Sequence, residues 1–128
     1  MEKVLIIDDD PRYLELLQFI LEDENMEVRA LREPEAAQAV AESWRPDVIV
    51  TDVSMPGLDG YALVAGLKSA VGTQNIPVIF VTARGQAYDK HKGRDLGVVE
   101  YLMKPFSMAG LVERIRRLAK RTVADNVA

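Results

Sequence analysis

The 128-residue sequence contains no cysteine. That excludes disulfides, thiolate nucleophiles and zinc–thiolate centres. No apolar run approaches the roughly 20 residues that a membrane-spanning helix needs, and mean hydropathy is close to zero. The N-terminus does not read as a signal peptide, because only four apolar residues separate Lys3 from Asp8, Asp9 and Asp10. A cytoplasmic location is therefore expected. No glycine-rich loop of the form G-x-x-x-x-G-K-[ST] occurs, which argues against nucleotide hydrolysis. The net charge of −4 argues against general nucleic-acid binding, since a phosphate backbone demands clustered cations. Arg114, Arg116, Arg117, Lys120 and Arg121 form a local exception. They read first as a solvated helix face and second as a partner-docking surface. Histidine and tryptophan occur once each. His91 reads as a solvated side chain and Trp44 as packing under its helix, and neither takes a functional role.

What is present fits one domain, with 48% apolar and 28% charged residues, an ordinary balance for a globular protein. Apolar runs alternate with helical patterns along the whole chain. The runs are Val4–Ile7, a weaker Met26–Leu31, Val48–Val50, Val78–Val81 and Val98–Met103. Three are short, β-branched and continuous, as strands buried on both faces of a parallel sheet must be. Asp10 and Pro11 supply an N-cap and a first-position proline, followed by a stripe of Tyr13, Leu16, Leu17 and Ile20. Pro34 opens a second helix with Ala37, Val40, Ala41 and Trp44 on one side. Asp59 or Gly60 starts a third, with Val64, Leu67 and Val71 inward and an end near Gly72. Ser107 caps the last, with Leu111, Ile115 and Leu118 in register. Residues 86–96 are poor in apolar side chains and carry Gly93 inside, so a helix there is marginal. Five β-α repeats predict a parallel sheet with helices on both faces. After Arg121 apolar periodicity is lost, so residues 1–121 are expected to form the domain and 122–128 a frayed tail or the start of a linker.

In open α/β sheets, ligands bind beyond the carboxyl ends of the strands. Asp8, Asp9 and Asp10 follow the first strand, Asp52 the third, Thr82 the fourth and Lys104 the fifth. Carboxylates brought together repel unless a cation joins them. With oxygen donors only, the candidates are Mg²⁺, Mn²⁺ or Ca²⁺, and so sparse a set suits Mg²⁺ better than the ~6–8 ligands of Ca²⁺. Asp10 is better explained as a helix cap, and acidic residues before helices are common for their dipole alone. Asp52 is harder to explain that way, because a loop, Val53-Ser-Met-Pro-Gly57, follows it rather than a helix. A carboxylate in that position can act as a nucleophile toward phosphorus when a metal neutralises the incoming group. Lys104 would add a second cation and Thr82 a hydroxyl donor. A strand-end lysine is often only a surface residue and a threonine only a strand former, so the weight lies in their joint placement.

The motifs Val4-Leu-Ile-Ile-Asp-Asp-Asp10, Asp52-Val-Ser-Met-Pro-Gly-Leu-Asp-Gly60, Val81-Thr-Ala83 and Tyr101-Leu-Met-Lys-Pro-Phe106 together resemble the receiver domain of two-component response regulators. The resemblance covers Lys3 to Arg121. It implies a flavodoxin-like (βα)5 three-layer sandwich with strand order 2-1-3-4-5. It further implies that Asp52 is the phosphoacceptor, Asp9 a direct Mg²⁺ (or Mn²⁺) ligand, Asp8 the holder of a metal-bound water, and Ser54 a backbone-carbonyl ligand. Thr82 would be the switch hydroxyl, Lys104 the phosphate-binding cation and Tyr101 the switch aromatic, with a cis peptide before Pro105. Ser54 and Arg84 would tune the phosphate lifetime.

The implied activity is a signalling switch rather than an enzyme. A histidine kinase or phosphotransfer protein donates the phosphoryl group, and the face made by the last two helices and the strand between them answers to a partner or output domain. That face also serves dimerisation in the subfamily with winged-helix outputs. Lys92, Glu100, Arg114, Arg116 and Arg121 match its charge pattern, whereas Val99 and Gly110 stand where acids are expected. A phosphatase on the same fold is disfavoured, because Ser54 occupies the place of the acid such enzymes need. A degenerate, binding-only receiver is disfavoured by the presence of Asp8, Asp9, Asp52, Thr82 and Lys104 together. The cognate kinase and the output are not legible in the sequence. If Arg84 shields the phosphoryl group from water, Arg84→Ala speeds autodephosphorylation in a phosphate-release assay; an unchanged rate removes that role.

Overall fold

Val4–Ile7 and Val48–Val50 have no polar side on which to face water, and they form the middle of a five-stranded parallel sheet. The computed structural model describes residues 1–55, 58–82, 94–97, 100–103 and 107–127; of residues 54, 55, 58, 82 and 121–127 it describes the backbone. The strands are β1 (Lys3–Ile7), β2 (Glu27–Leu31), β3 (Val48–Asp52), β4 (Val78–Thr82) and β5 (Glu100–Met103). Their order is β2-β1-β3-β4-β5 and every neighbouring pair is parallel. This is the 2-1-3-4-5 order of the flavodoxin-like fold. The helices are α1 (Pro11–Asp23), α2 (Ala37–Trp44), α3 (Gly60–Ser69) and α4 (Met108–Val127).

Alternation along the strands divides the interior into two cores. Val4, Ile6, Val50, Ile79 and Val81 face α1 and α4, where they meet Leu17, Leu21, Leu111 and Ile115. Leu5, Ile7, Ile49 and Phe80 face the other way, against Ala41 of α2 and Val64 and Leu67 of α3. The sheet is thus covered on both sides, which makes a three-layer sandwich.

Several helix details depart from the periodicity. In α1 the buried residues are Leu14, Leu17 and Leu21, while Leu16 is 51% exposed. Seven of the helix's positions are apolar or aromatic, so two overlapping stripes satisfy the same spacing and packing selects one. Tyr13 is only partly buried as a result. Pro34 opens a 3-10 turn, Pro34–Ala36, ahead of α2. Helix α3 ends at Ser69, not near Gly72, and Val71 is 86% exposed rather than inward. Its loop is held instead by the Lys68 ammonium, which donates to the carbonyls of Gln74 and Ile76. Burial lowers the pKa of that amine. Residues 86–93 and 98–99, in the marginal helix and at the start of the fifth run, lie outside the described residues; residues 94–96 form a helical turn. Helical backbone continues to Val127, past the point where apolar periodicity ends. Propagating a formed helix costs far less than starting one, so no apolar stripe is needed there.

The caps read from sequence are in place. Asp10 accepts the Arg12 N–H at 3.0 Å, Asp59 the Tyr61 N–H at 2.9 Å, and the Ser107 hydroxyl the Gly110 N–H at 3.1 Å. Ile115 is fully buried where α4 meets the sheet. Ile115→Ala is expected to cost about 2–5 kcal/mol through lost burial and the cavity left behind, measured as a lower urea midpoint with an unchanged m-value.

Candidate functional site

The register between β1 and β3 sets the site. Ile7 lies opposite Thr51, so the next residue on each chain, Asp8 and Asp52, emerge side by side at the carboxyl edge. Asp9 follows directly. Ligand oxygens of Asp8, Asp9 and Asp52 all lie within 4.8 Å of one another. Asp8 is 4% exposed, Asp52 is partly buried and Asp9 is open to solvent. Two unit charges at such a separation repel by roughly 3 kcal/mol at an effective dielectric of ~20. One carboxylate oxygen of Asp8 accepts the Asp10 N–H at 3.0 Å, which offsets part of that repulsion from inside the chain. The rest calls for a cation on the open side, where Asp9 stands. Three carboxylates without nitrogen or sulfur form a hard-donor set, and it fits Mg²⁺ or Mn²⁺.

The loop after Asp52 is held by backbone contacts. Thr51 is fully buried and its hydroxyl donates to the Asp52 carbonyl at 3.1 Å. The Val53 N–H donates to the Val81 carbonyl at 3.3 Å, and the Gly60 N–H to the Val53 carbonyl at 2.7 Å. Ser54–Met55 then pairs antiparallel with Leu58–Asp59, a short ribbon that returns the chain to the start of α3. A Cβ at position 60 would overlap the Val53 carbonyl oxygen and lie 2.8 Å from that of Asp52. Glycine is required there by this close approach.

On β4, Val81 pairs with Asp52, so Thr82 stands one step beyond it at the same edge. Met103 pairs with Thr82, and Lys104 follows immediately in the sequence. Lys104 and Pro105, like Arg84, His91, Lys92 and Val99, lie outside the described residues. Tyr101 is partly buried on β5, opposite Phe80, and packs on the α2–α3 side of the sheet. Asp8, Asp9 and Asp52 are therefore brought together, the Thr82 backbone is placed beside them, and Tyr101 sits two residues behind that edge.

One residue near the acids escaped the sequence reading. Periodicity places Tyr13 on an apolar stripe, whereas in the structure it lines a narrow cleft with Asp8 and Asp52. Burial, and then the charges of Asp8 and Asp52, push its phenol well above the usual tyrosine range. The available signal was a hydroxyl on an otherwise apolar stripe, one turn after Asp9.

On the opposite flank, Arg114 pairs with Glu100 at 3.0 Å and Arg117 with the same carboxylate, while Arg116 pairs with Glu24 at 3.1 Å. Glu100, Arg114 and Arg116 of the expected dimer face are thus paired within the chain.

A doubly wound parallel sheet bearing three clustered carboxylates at its carboxyl edge defines a receiver-type α/β domain. A family model described as response regulator receiver domain matches residues 4–116, and the chain belongs to that family, a signalling domain of two-component systems. Over 122 residues it is 38% identical to the DNA-binding dual master transcriptional regulator RpaA of Synechocystis sp., covering 95% of this chain and 51% of that protein. It is 36% identical over 121 residues to the heme response regulator HssR of Staphylococcus aureus, covering 94% of this chain and 53% of the relative. The chain spans about half the length of these curated relatives. Among solved structures, the Francisella response regulator 1452 receiver domain superposes with a TM-score of 0.84 at 33% identity, covering 95% of this chain and 99% of that one.

Gly60→Ala is expected to destabilise the domain by roughly 1–3 kcal/mol, because the clash is with backbone that cannot rotate away. The checks are thermal unfolding and a weaker response of the melting temperature to Mg²⁺, since the Asp52 loop must shift.

Proposed function

We propose that this receiver domain accepts a phosphoryl group on Asp52 from a histidine kinase or phosphotransfer protein, with Mg²⁺ (or Mn²⁺) bound at the acidic cluster. The observation that carries the reading is the convergence of Asp8, Asp9 and Asp52 within 4.8 Å at the carboxyl edge of the sheet. Asp9, the most open of the three, and Asp52 would ligate the ion, with Asp8 holding a metal-bound water and Ser54 contributing its backbone carbonyl. The metal, when bound, supplies charge neutralisation for the incoming phosphoryl oxygens.

Asp52 is the nucleophile. Its carboxylate oxygen attacks phosphorus, the donor's phosphorus–nitrogen bond breaks, and the phosphoryl group remains as an acyl phosphate. Lys104 holds the phosphoryl oxygens as a fixed cation, and the Thr82 hydroxyl donates a hydrogen bond to them. Ser54 and Arg84 set the lifetime of the acyl phosphate by limiting water's approach. Phosphorylation draws Thr82 toward Asp52, and the space it leaves admits Tyr101. This changes the face formed by the segment that precedes β5, β5 itself and α4, to which a partner or output domain responds.

The same face is the candidate homodimer surface. Its charges are engaged by surface ion pairs worth roughly 0–1 kcal/mol each, which a partner can exchange. No described helix is long and apolar enough to cross a membrane, and a cytoplasmic location accords with a phosphoryl donor of this class.

Incubation with acetyl phosphate and Mg²⁺, read by intact mass, is expected to add one phosphoryl group to the wild type and none to Asp52→Ala. No addition to the wild type, or its persistence in the variant, would sink the assignment.

A further inference from the structure

We infer, resting on the phosphoacceptor role proposed for Asp52, that Lys68 is a positioning residue that joins α3 to the turn ahead of β5. It gives Asp52 a second route to the responding face. The route through Thr82 and Tyr101 runs along strands, whereas this one runs along a helix.

The route begins beside Asp52. The Gly60 N–H, at the start of α3, donates to the Val53 carbonyl at 2.7 Å. A Cβ at position 60 would lie 2.8 Å from the Asp52 carbonyl oxygen, so the first turn of α3 lies against the backbone of Asp52 itself. From there α3 runs ten residues to Ser69, a rod of roughly 15 Å.

Lys68 stands at the far end of the rod. Its ammonium donates to the Ile76 carbonyl at 2.7 Å and to the Gln74 carbonyl at 3.2 Å, and these two bonds fix the course of its aliphatic stem. Against that stem lies the turn of residues 94–97, closed by the Gly97 N–H on the Arg94 carbonyl at 3.0 Å. A Cβ at position 97 would lie 3.2 Å from Cε of Lys68, 3.5 Å from Cδ and 3.7 Å from Cγ. The stem thus covers Gly97 along its length, at a residue whose φ of +94° already favours glycine. Leu96 packs into the same core as Ile76. Three residues beyond Gly97, Glu100 opens β5 and pairs with Arg114 and Arg117 of α4.

The loop after α3 has other supports. The Thr73 hydroxyl donates to the Leu67 carbonyl at 2.6 Å, and the N–H groups of Thr73 and Gln74 donate to the Ala70 carbonyl. The bonds of Lys68 are therefore needed less to form the loop than to hold the stem in one course. An untethered lysine keeps much of its rotamer freedom and yields when its neighbours move. A stem tied at its tip passes a shift of α3 to Gly97 as one packed element to the next.

The experiment follows amide hydrogen exchange at Gly97 and Glu100–Met103 by NMR on the full chain, with and without acetyl phosphate and Mg²⁺. Phosphoryl uptake is read by intact mass in the same samples. Lys68→Met keeps a stem of similar length and loses both donors. It is expected to take up the phosphoryl group as the wild type does. The phosphorylation-linked change in exchange is expected to shrink roughly twofold to tenfold, the size that residues within a coupling network carry. Lys68→Arg offers N–H groups in a fork suited to two acceptors and is expected to restore most of the change. Leu21→Ala lowers stability from the opposite core and is expected to leave the change intact.

An undiminished change in Lys68→Met would overturn the inference and leave the role of Asp52 standing. So would a loss that Lys68→Arg does not restore, an equal loss in Leu21→Ala, or loss of phosphoryl uptake in Lys68→Met alone. A wild type that is phosphorylated with no change at Gly97 would overturn it as well. A wild type that takes up no phosphoryl group would overturn the role of Asp52, and the inference with it.

Discussion

The structure depends on one constraint: β1 and β3 are locked in a register that sets Ile7 against Thr51. Both strands are buried on both faces, with Val4, Leu5, Ile6 and Ile49 at 0% exposure. A slip of one residue would exchange the two cores and draw Asp8 into the apolar interior. Burying an unpaired carboxylate costs several kcal/mol, so the packing and the placement of the acids enforce each other. The cluster of Asp8, Asp9 and Asp52 is an unfavourable arrangement of charge held by favourable burial beneath it. Such a site concentrates negative charge in a way that an unfolded chain does not.

The loop after Asp52 extends the same logic. Two backbone hydrogen bonds fix it to β4 and to the start of α3, from the Val53 N–H to the Val81 carbonyl and from the Gly60 N–H to the Val53 carbonyl, together with the Thr51 hydroxyl. Asp52, the proposed phosphoacceptor, is therefore built on a strand end and on main-chain contacts rather than on a free loop, which favours a reproducible geometry for its carboxylate.

Much of this was legible because the signals were strong and local. Continuous β-branched runs, Asp10 with Pro11, Asp59 and Ser107 each follow from short-range physics, and the sheet order followed from resemblance supported by the β-α alternation. The acidic site followed from asking which residues stand after each strand. What was not legible required knowledge of packing. In α1 the apolar residues define two stripes, and only contact with the sheet chooses Leu14, Leu17 and Leu21 over Leu16 and Ile20. That choice also moved Tyr13 from a core position to the margin of the acidic site. Val71 was drawn inward by periodicity alone, but α3 stops at Ser69, where Lys68 turns to bind the carbonyls of the next loop. The charges of the last helix read in sequence first as a solvated face and second as a docking surface, and packing adds what the sequence does not show, the partners of Arg114, Arg116 and Arg117 at Glu100 and Glu24.

These pairs bear on how a change at Asp52 could reach a partner. Asp52 is joined to β4 at Val81, β4 is joined to β5 at Tyr101 and Met103, and β5 is joined to α4 by Glu100 with Arg114 and Arg117. Each link is a neighbour-to-neighbour contact, so the proposed switch needs no long-range mechanism. The first links are main-chain ladders inside a rigid sheet and will transmit rather than yield. The last link is a set of surface ion pairs, each worth roughly 0–1 kcal/mol, and it is there that a small displacement of β5 can exchange one set of partners for another. Rigidity at the proposed phosphoacceptor and lability at the far face are thus placed in series, the order that such a switch requires.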